Sequence, residues 1–204
     1  MPVIELPAVV YIDVDDVMWP LNRRTSAKAG VDISRVVTYR IFDNDTISED
    51  ERQRLLAAYT AEDLHETMDF FPDARLFALL ARDPRFRAVI GSNNLRQRSV
   101  DDKLRNLSGF FGRDLDAFRV DMRLASMDDS HKKEMPPDIW TIIDDSPHNA
   151  VASGARHILL PKWPWNRSPQ GLKTLEPVMD RVRFYDTIPE CIIKVMDLAV
   201  EDGL

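Results

Sequence analysis

The chain has 204 residues, 44% of them hydrophobic, with a formal net charge of −7 and an isoelectric point near 5.1. A chain of this size buries a sizeable core, either as one domain or as one domain with an insertion. The acidic balance excludes the basic footprint of a protein that binds duplex nucleic acid. The single cysteine, Cys191, excludes an internal disulfide framework, and no apolar run approaches the ~18 residues of a membrane span. We therefore expect a soluble, cytoplasmic protein with no membrane partner.

The first predicted strand is a short apolar run that ends in carboxylates. Residues 9 to 12 form the run, and Asp13, Asp15 and Asp16 lie at its end. Carboxylates at the end of a buried strand cost free energy unless a cation meets them there. Mg²⁺ is the natural partner, because it binds one or two carboxylates together with a substrate's phosphate oxygens. The plain alternative is a strand that runs into an acidic turn.

Residues 22 to 70 are rich in charge and lack a convincing buried strand, so they predict a small helical insertion. Ser48 followed by Glu51 is a capping-box signature and predicts an amphipathic helix. Residues 61 to 65 predict the start of another short helix. Arg23 and Arg24 either contact an anionic substrate or form a solvated face, and we favour the solvated face.

The rest of the chain alternates between predicted helices and strands. Helices are expected at 73–82, at 99–111 with Ser99 as the N-cap, and at 188–200; strands are expected at 86–91, 119–123, 139–143, 157–160 and 184–185. This alternation predicts an α/β fold with a doubly wound parallel sheet and right-handed connections. The expected domains are a core of residues 1–21 and 71–204 and a helical insertion of residues 22–70.

Two later strands end in side chains that complement the first. The strand at 86–91 ends before Ser92, and the strand at 139–143 ends before Asp144 and Asp145. Lys103, Lys132 and Lys133 lie between them. Because parallel strand ends meet at one edge of a sheet, these groups are expected to converge there. A magnesium-dependent phosphotransferase with an aspartyl nucleophile needs this order of acid, hydroxyl, lysine and acid.

These motifs resemble those of the haloacid dehalogenase (HAD) superfamily. Residues 13 to 18 resemble its first motif, Ser92 its second, Lys132 or Lys133 its third, and Asp144-Asp145 its fourth. Within the superfamily the likeness is closest to the 5'(3')-deoxyribonucleotidases, through FFPDA at 70–74, KLRNLSGFFG at 103–112, IIDDSPHN at 142–149 and ILLPKWPWNR at 158–167. The likeness covers roughly residues 9 to 195. It implies a HAD-like core whose insertion is a cap that closes over the site and selects the substrate.

The resemblance also implies roles for the carboxylates. Asp13 would attack phosphorus and form an aspartyl-phosphate, and Asp15 would protonate the leaving oxygen and then deprotonate water. Mg²⁺ would be held by Asp13, by the backbone carbonyl of Asp15, and by Asp144 or Asp145.

The groups that would bind phosphate follow from the second and third motifs. Ser92 and the backbone amide of Asn93 would hydrogen-bond the phosphate oxygens, and Lys132 or Lys133 would neutralise their charge. Lys103 is either a second phosphate contact or an exposed helix lysine.

One position departs from the family, which usually has glycine where this chain has Asp16. Aspartate tolerates unusual backbone angles better than most residues, so the turn is expected to survive. An extra carboxylate beside a metal can alter the metal's affinity or the pKa of Asp15, which puts the catalytic rate in doubt more than the fold.

Aromatic residues predict the substrate side of the pocket. Trp163, Trp165 and Asn166 lie in a proline-interrupted loop that would stack on a nucleobase if exposed; core packing of at least one tryptophan is the equal alternative. Trp19, and Tyr39 or Phe42 in the insertion, are further candidates for the pocket lining. We expect Trp165 or Trp19 to face its open half.

The expected function is a Mg²⁺-dependent phosphomonoesterase acting on a small nucleotide, a deoxyribonucleoside monophosphate. Two alternatives stay open. One is the same chemistry on another small phosphate ester. The other is a non-catalytic relative that binds metal and nucleotide, for which Asp16 is the only support in the sequence. The base and sugar preference, and whether the chain forms a homodimer, are not decided by the sequence.

Overall fold

The computed structural model describes residues 6–38, 44–124 and 135–204. Within them, six strands form one all-parallel sheet in the order β3-β2-β1-β4-β5-β6. The strands are β1 Ala8–Asp13, β2 Phe86–Asn94, β3 Arg119–Leu124, β4 Ile139–Ile143, β5 His157–Pro161 and β6 Val182–Tyr185. The predicted doubly wound α/β fold is confirmed.

Helices cover both faces of this sheet. They are α1 Leu21–Ala29, α2 Glu49–Tyr59, α3 Phe77–Arg82, α4 Gln97–Phe111, α5 Pro147–Ala152, α6 Pro164–Arg167, α7 Pro169–Leu175 and α8 Ile188–Glu201. Short 3₁₀ turns lie at Ile33–Arg35, Pro72–Leu76, Gly112–Ala117 and Glu176–Arg181. In the described part of the chain, no helix combines the length and the apolar character that crossing a bilayer requires.

Side chains of β1 alternate between two hydrophobic clusters. Val10 and Ile12 belong to a cluster with residues of α3, α4 and α8, whereas Val9 and Tyr11 pack with residues of α5 and α7. A parallel sheet that is covered on both faces needs apolar residues at every strand position. This explains why the central strand β1 is a continuous apolar run up to Asp13.

Three predicted elements differ from those observed. Ser99 is not the N-cap of α4, because the backbone is already helical from Gln97 and Arg96 precedes it without a capping side chain. Residues 62 to 66 form turns instead of a helix, since so short a segment gains little from helix propagation. β2 continues past the predicted end at residue 91, because β3 pairs with it as far as Asn94.

The insertion contains α1 and α2, which pack against each other around a third hydrophobic cluster. Ala29 of α1 and Leu55 and Ala58 of α2 belong to this cluster, together with Trp165 of α6. The predicted capping box at the start of α2 is present: the Ser48 amide donates to Glu51 Oε2 over 2.7 Å, and the Glu51 amide donates to Ser48 Oγ over 3.3 Å. That residues 22–70 act as a cap domain stays a prediction.

Gly91 permits the close packing of the Tyr11 ring over β2. A Cβ atom at this position would lie 1.9 Å from the Tyr11 hydroxyl oxygen, and Tyr11 is itself buried, so its ring cannot swing aside. Gly91→Ala is expected to lower the free energy of unfolding by about 1–3 kcal/mol through overpacking. Urea denaturation measures this change.

Gly109→Ala provides the matched control. Gly109 lies in α4 with open space around its Cβ position, so alanine there should stabilise the helix by about 0.5–1 kcal/mol. Equal stability changes in the two variants would contradict the assigned packing of Tyr11 on Gly91.

Candidate active site

The sheet changes direction at β1, and the predicted site residues lie at this point. The chain runs outward from β1 through β2 to β3 and then returns to the other side of β1 with β4. The register pairs Ile12 with Ile143 and Asp13 with Gly91, so Asp13 lies beside Asp144 on one side and near Ser92 on the other. In open α/β sheets, the crevice at such a switch point is the usual place for a ligand.

Three carboxylates converge in this crevice. Asp13, Asp144 and Asp145 are all buried, and each offers an oxygen within 4.8 Å of the others. Burial raises the pKa of Asp145 well above its usual range, and the charges of Asp16, Asp144 and Asp13 raise it further. Three buried carboxylates so close together repel each other and supply the hard oxygen ligands that Mg²⁺ prefers. The donor set therefore fits a divalent cation, with both Asp144 and Asp145 in it; the Asp15 carboxylate lies outside the group.

Asp144 is held in place by the start of α5. The Ser146 amide donates to Asp144 Oδ1 over 2.9 Å, and Asn149 Nδ2 donates to both carboxylate oxygens over 3.1 and 3.2 Å. Ser146 is the N-cap of α5, since its hydroxyl accepts from the Asn149 amide. Asn149 is buried, and its side-chain amide orients a candidate metal ligand.

Asp15 belongs to a separate hydrogen-bonded group with the second motif. Its Oδ1 accepts from Trp19 Nε1 over 2.8 Å, and its Oδ2 accepts from Lys103 Nζ over 2.5 Å and from Ser92 Oγ over 3.2 Å. Lys103 Nζ also donates to Ser92 Oγ over 2.8 Å. Burial raises the pKa of Asp15, while the charge of Lys103 and the hydrogen bonds from Lys103 and Trp19 lower it, and the resulting pKa is below its usual value.

Lys103 is not an exposed helix lysine. Its side chain is 1% exposed and meets Asp15 and Ser92 at the base of the crevice. Asn93 follows Ser92 in β2 and is partly buried. The other predicted phosphate lysines, Lys132 and Lys133, lie outside the described residues, as do Tyr39 and Phe42. The choice between Lys132 and Lys133 stays open.

Asp16 has a left-handed backbone conformation, with φ of 54°, which glycine adopts most readily. Its carboxylate accepts from the Asn22 amide, over 3.0 Å to Oδ1 and 3.2 Å to Oδ2, so it caps the first turn of α1. Its carbonyl accepts from Trp163 Nε1 over 2.7 Å. Burial raises the pKa of Asp16, and the charges of Asp15 and Asp13 raise it further. The hydrogen bond from the Asn22 amide opposes this rise. The turn therefore tolerates aspartate, as predicted.

The structure places three of the predicted substrate-binding residues in the interior, and their role towards a substrate stays a prediction. Trp165 is 1% exposed and donates from Nε1 to the Asp145 carbonyl over 3.0 Å. Trp19 is fully buried against the core, and Asn166 is fully buried while its Nδ2 donates to the Pro161 carbonyl over 2.8 Å. None of the three has a free face for a nucleobase in this arrangement, so core packing describes them.

Trp163 and Phe71 are partly exposed aromatic residues beside the first-motif turn. Their ring centroids are 6.3 Å apart with the planes 30° from parallel, and Trp163 also stacks on Trp165 at 5.6 Å. Arg24, interpreted as part of a solvated face, hydrogen-bonds Thr67 and pairs with the exposed Asp69 at 3.7 Å.

Two residues of the insertion with polar aromatic side chains, Tyr59 and His65, lie near the carboxylates of the site. Neither was predicted from the sequence as a site residue. Tyr59 ends α2 and packs against the core; burial raises the pKa of its hydroxyl, and the charges of Asp15, Asp16, Asp145 and Asp13 raise it further. The His65 ring lies 5.5 Å from the Trp19 ring. The spacing of Leu55 and Tyr59 on one face of α2 could have indicated that Tyr59 points inward.

Comparison with known proteins finds likeness in structure but not in sequence. No family model matches the chain, and no curated protein sequence matches it. A predicted phosphatase from Clostridium acetobutylicum superposes with a TM-score of 0.55 at 10% identity, covering 95% of this chain and all of that one. A predicted phosphoglycolate phosphatase from Haemophilus somnus gives 0.52 at 10% identity, with 94% and 100% covered. A haloacid dehalogenase-like hydrolase from Xanthomonas campestris gives 0.51 at 14% identity, with 97% and 94% covered.

At these identities the likeness shows the fold, which is the HAD-like α/β fold. The structural neighbours are HAD-superfamily phosphatases. The finer resemblance to deoxyribonucleotidases stays a prediction.

Proposed function

We propose that the protein is a Mg²⁺-dependent phosphatase that transfers a phosphoryl group first to Asp13 and then to water. The observation that carries the proposal is the adjacency of two groups at the switch point of a HAD-like sheet. One is the buried acidic group of Asp13, Asp144 and Asp145, and the other is the Asp15–Ser92–Lys103 hydrogen-bonded group. The names of the neighbouring structures support the same reaction class.

Each group has a separate task in this reaction. An Asp13 oxygen attacks phosphorus and the bond to the alcohol breaks, while Asp15 gives its proton to the leaving oxygen. Asp15 then takes a proton from the water that releases phosphate from Asp13. Asp13, Asp144 and Asp145 would hold Mg²⁺, which when bound offsets repulsion between the anionic nucleophile and the anionic phosphate.

Lys103 and Ser92 are placed to change partners when phosphate binds. Both pair with Asp15 in this structure, and the ion pair favours its charged form. A phosphate dianion that takes over their hydrogen bonds would remove this bias. Asp15 could then hold the proton that the leaving oxygen needs.

The direct test is the release of inorganic phosphate from a panel of esters, with Mg²⁺ and after its removal by EDTA. The panel contains deoxyribonucleoside monophosphates, sugar phosphates, glycerol phosphate and phenyl phosphate. Absence of Mg²⁺-dependent release from every ester would contradict the proposal. A nucleotide that raises the melting temperature without phosphate release would instead support a binding protein without turnover.

We further propose a small nucleotide, a deoxyribonucleoside monophosphate, as the substrate. The resemblance of residues 103–112 and 158–167 to deoxyribonucleotidases supports this proposal, as does the partly exposed Trp163–Phe71 pair. That the chain forms a homodimer stays a prediction.

Trp163→Ala is expected to raise KM for a deoxyribonucleoside monophosphate by roughly 5- to 100-fold, which corresponds to the loss of one base–aromatic stacking contact. KM for glycerol phosphate should change little, because glycerol has no ring to stack. Trp163→Phe is the matched control: it keeps an aromatic face but loses the hydrogen bond to the Asp16 carbonyl. Equal changes for both esters would show that Trp163 supports the turn at Asp16 instead.

A further inference from the structure

His65 carries a buried polar atom that has no hydrogen-bond partner among the described residues. The side chain is in the insertion, the residue is 9% exposed, and the unpartnered atom is Nε2. Buried polar groups are bonded in the great majority of cases, so an exception of this kind requires an explanation.

The imidazole lies beside the predicted general acid. Its ring centroid is 5.5 Å from that of Trp19, at 59° between the planes, and Trp19 Nε1 in turn donates to Asp15 Oδ1. Burial and the charge of Lys103 lower the pKa of His65, the charge of Asp15 opposes them, and the resulting pKa is about 4. The ring is therefore neutral near pH 7, with one nitrogen that donates and one that accepts.

α4 contacts the backbone at His65 and also carries Lys103 of the Asp15–Ser92–Lys103 hydrogen-bonded group. Asn106 of α4 donates from Nδ2 to the His65 carbonyl over 3.1 Å and accepts from the Met68 amide at Oδ1 over 3.2 Å. α4 also carries Lys103 and follows Ser92 closely. Asn106 thus ties the turns that carry His65 to the helix that carries Lys103.

We propose that His65 is a specificity-determining residue whose Nε2 hydrogen-bonds a hydroxyl or ring oxygen of the substrate's alcohol. This inference rests on the proposed phosphatase function and deepens it: alcohols with a polar group near the ester oxygen, such as a nucleotide's sugar, are favoured. Nε2 is enclosed in this arrangement, so residues 60–68 must shift as substrate enters. These residues form turns that side-chain hydrogen bonds hold in place, not a helix or a sheet ladder.

A purely structural role makes the opposite prediction for stability. Asp102 Oδ2 also lacks a hydrogen-bond partner in the described chain, and a water molecule bridging it to His65 would satisfy both. Loss of Nε2 would then destabilise the fold. If Nε2 is instead kept free for substrate, its removal relieves an unsatisfied buried group, so stability is unchanged or higher.

The test is His65→Phe, which keeps an aromatic ring against Trp19 and removes Nε2. We expect an unchanged or higher melting temperature. The ratio of kcat/KM for a deoxyribonucleoside 5'-monophosphate to that for phenyl phosphate should fall roughly 10-fold, as expected for one lost hydrogen bond. His65→Gln, which keeps a side-chain donor and acceptor, should recover part of this ratio.

The outcomes separate the two proposals. Absence of Mg²⁺-dependent release by the unsubstituted protein would overturn the phosphatase function and this inference with it. If the unsubstituted protein releases phosphate normally, two results would overturn the role of His65 alone. One is an unchanged kcat/KM ratio in His65→Phe. The other is a lower melting temperature of His65→Phe with equal losses of activity on both esters.

Discussion

Asp13→Asn should reduce phosphate release to background, a loss of roughly 10⁴-fold or more, as when other enzymes lose their nucleophile. The physical reason is that an amide oxygen is a poor nucleophile, while the shape of the side chain is kept. Phosphate release at saturating Mg²⁺ measures the loss. An active variant would contradict the assignment of Asp13.

Thermal melting of the same variant gives an independent readout. Without metal, Asp13→Asn should be more stable than the unsubstituted protein, because one of three crowded buried carboxylates has lost its charge. The rise in melting temperature on adding Mg²⁺ should shrink, since the site has lost an anionic ligand. A full Mg²⁺ response would place the metal away from Asp13.

Lys103→Met should lower kcat/KM by roughly 10²- to 10³-fold, the usual effect of removing one group that stabilises charge in the transition state. Methionine matches the length of lysine but carries no charge for phosphate or for Asp15. The fold should lose about 3 kcal/mol, because the partner carboxylate remains partly buried without its cation. Steady-state kinetics and urea denaturation measure the two effects.

Lys28→Met is the matched control for Lys103→Met. Lys28 pairs with Asp63 over 2.6 Å, but both side chains are largely exposed, so its loss should change stability by less than about 1 kcal/mol. Lys103→Arg keeps the charge and tests its geometry. Near-normal activity of Lys103→Met, together with an inactive Lys132→Met or Lys133→Met, would show that a lysine in the segment before β4 contacts the phosphate instead of Lys103.

The strands and the acidic site could be predicted because they depend on local signals. Each central strand is a short apolar run, and Asp13, Ser92 and Asp144 follow directly from where three such runs end. Parallel pairing alone then brings these residues to one edge. No knowledge of the packing between helices was needed.

The environment of Lys103 could not be predicted, because nothing local determines it. Its neighbours Asp101 and Asp102 are acidic, a pattern typical of a solvated helix face. Lys103 is buried only because α4 passes under the turn that carries Asp15. A tertiary contact of this kind leaves no trace in the spacing of apolar residues.

Trp165 was misplaced for a related reason. Its loop contains prolines and charged residues, which are typical of exposed segments, but α1 and α2 need an apolar surface to cover Ala29, Leu55 and Ala58. Trp165 supplies that surface. The sequence shows that the insertion has an apolar side, but it does not show which part of the core packs against that side. The position of His65 could not be predicted for the same reason.

The central position of β1 has a consequence for how the chain folds. Ile12 pairs with Ile90 on one side and with Ile143 on the other, so both neighbours of β1 come from distant parts of the chain. Folds dominated by such non-local pairings close large loops before any contact stabilises them, and they fold slowly. Asp13 meets Asp144 only when β4 docks beside β1, so a partly folded chain has no assembled acidic group. Activity regained during refolding would therefore report on completion of the whole sheet.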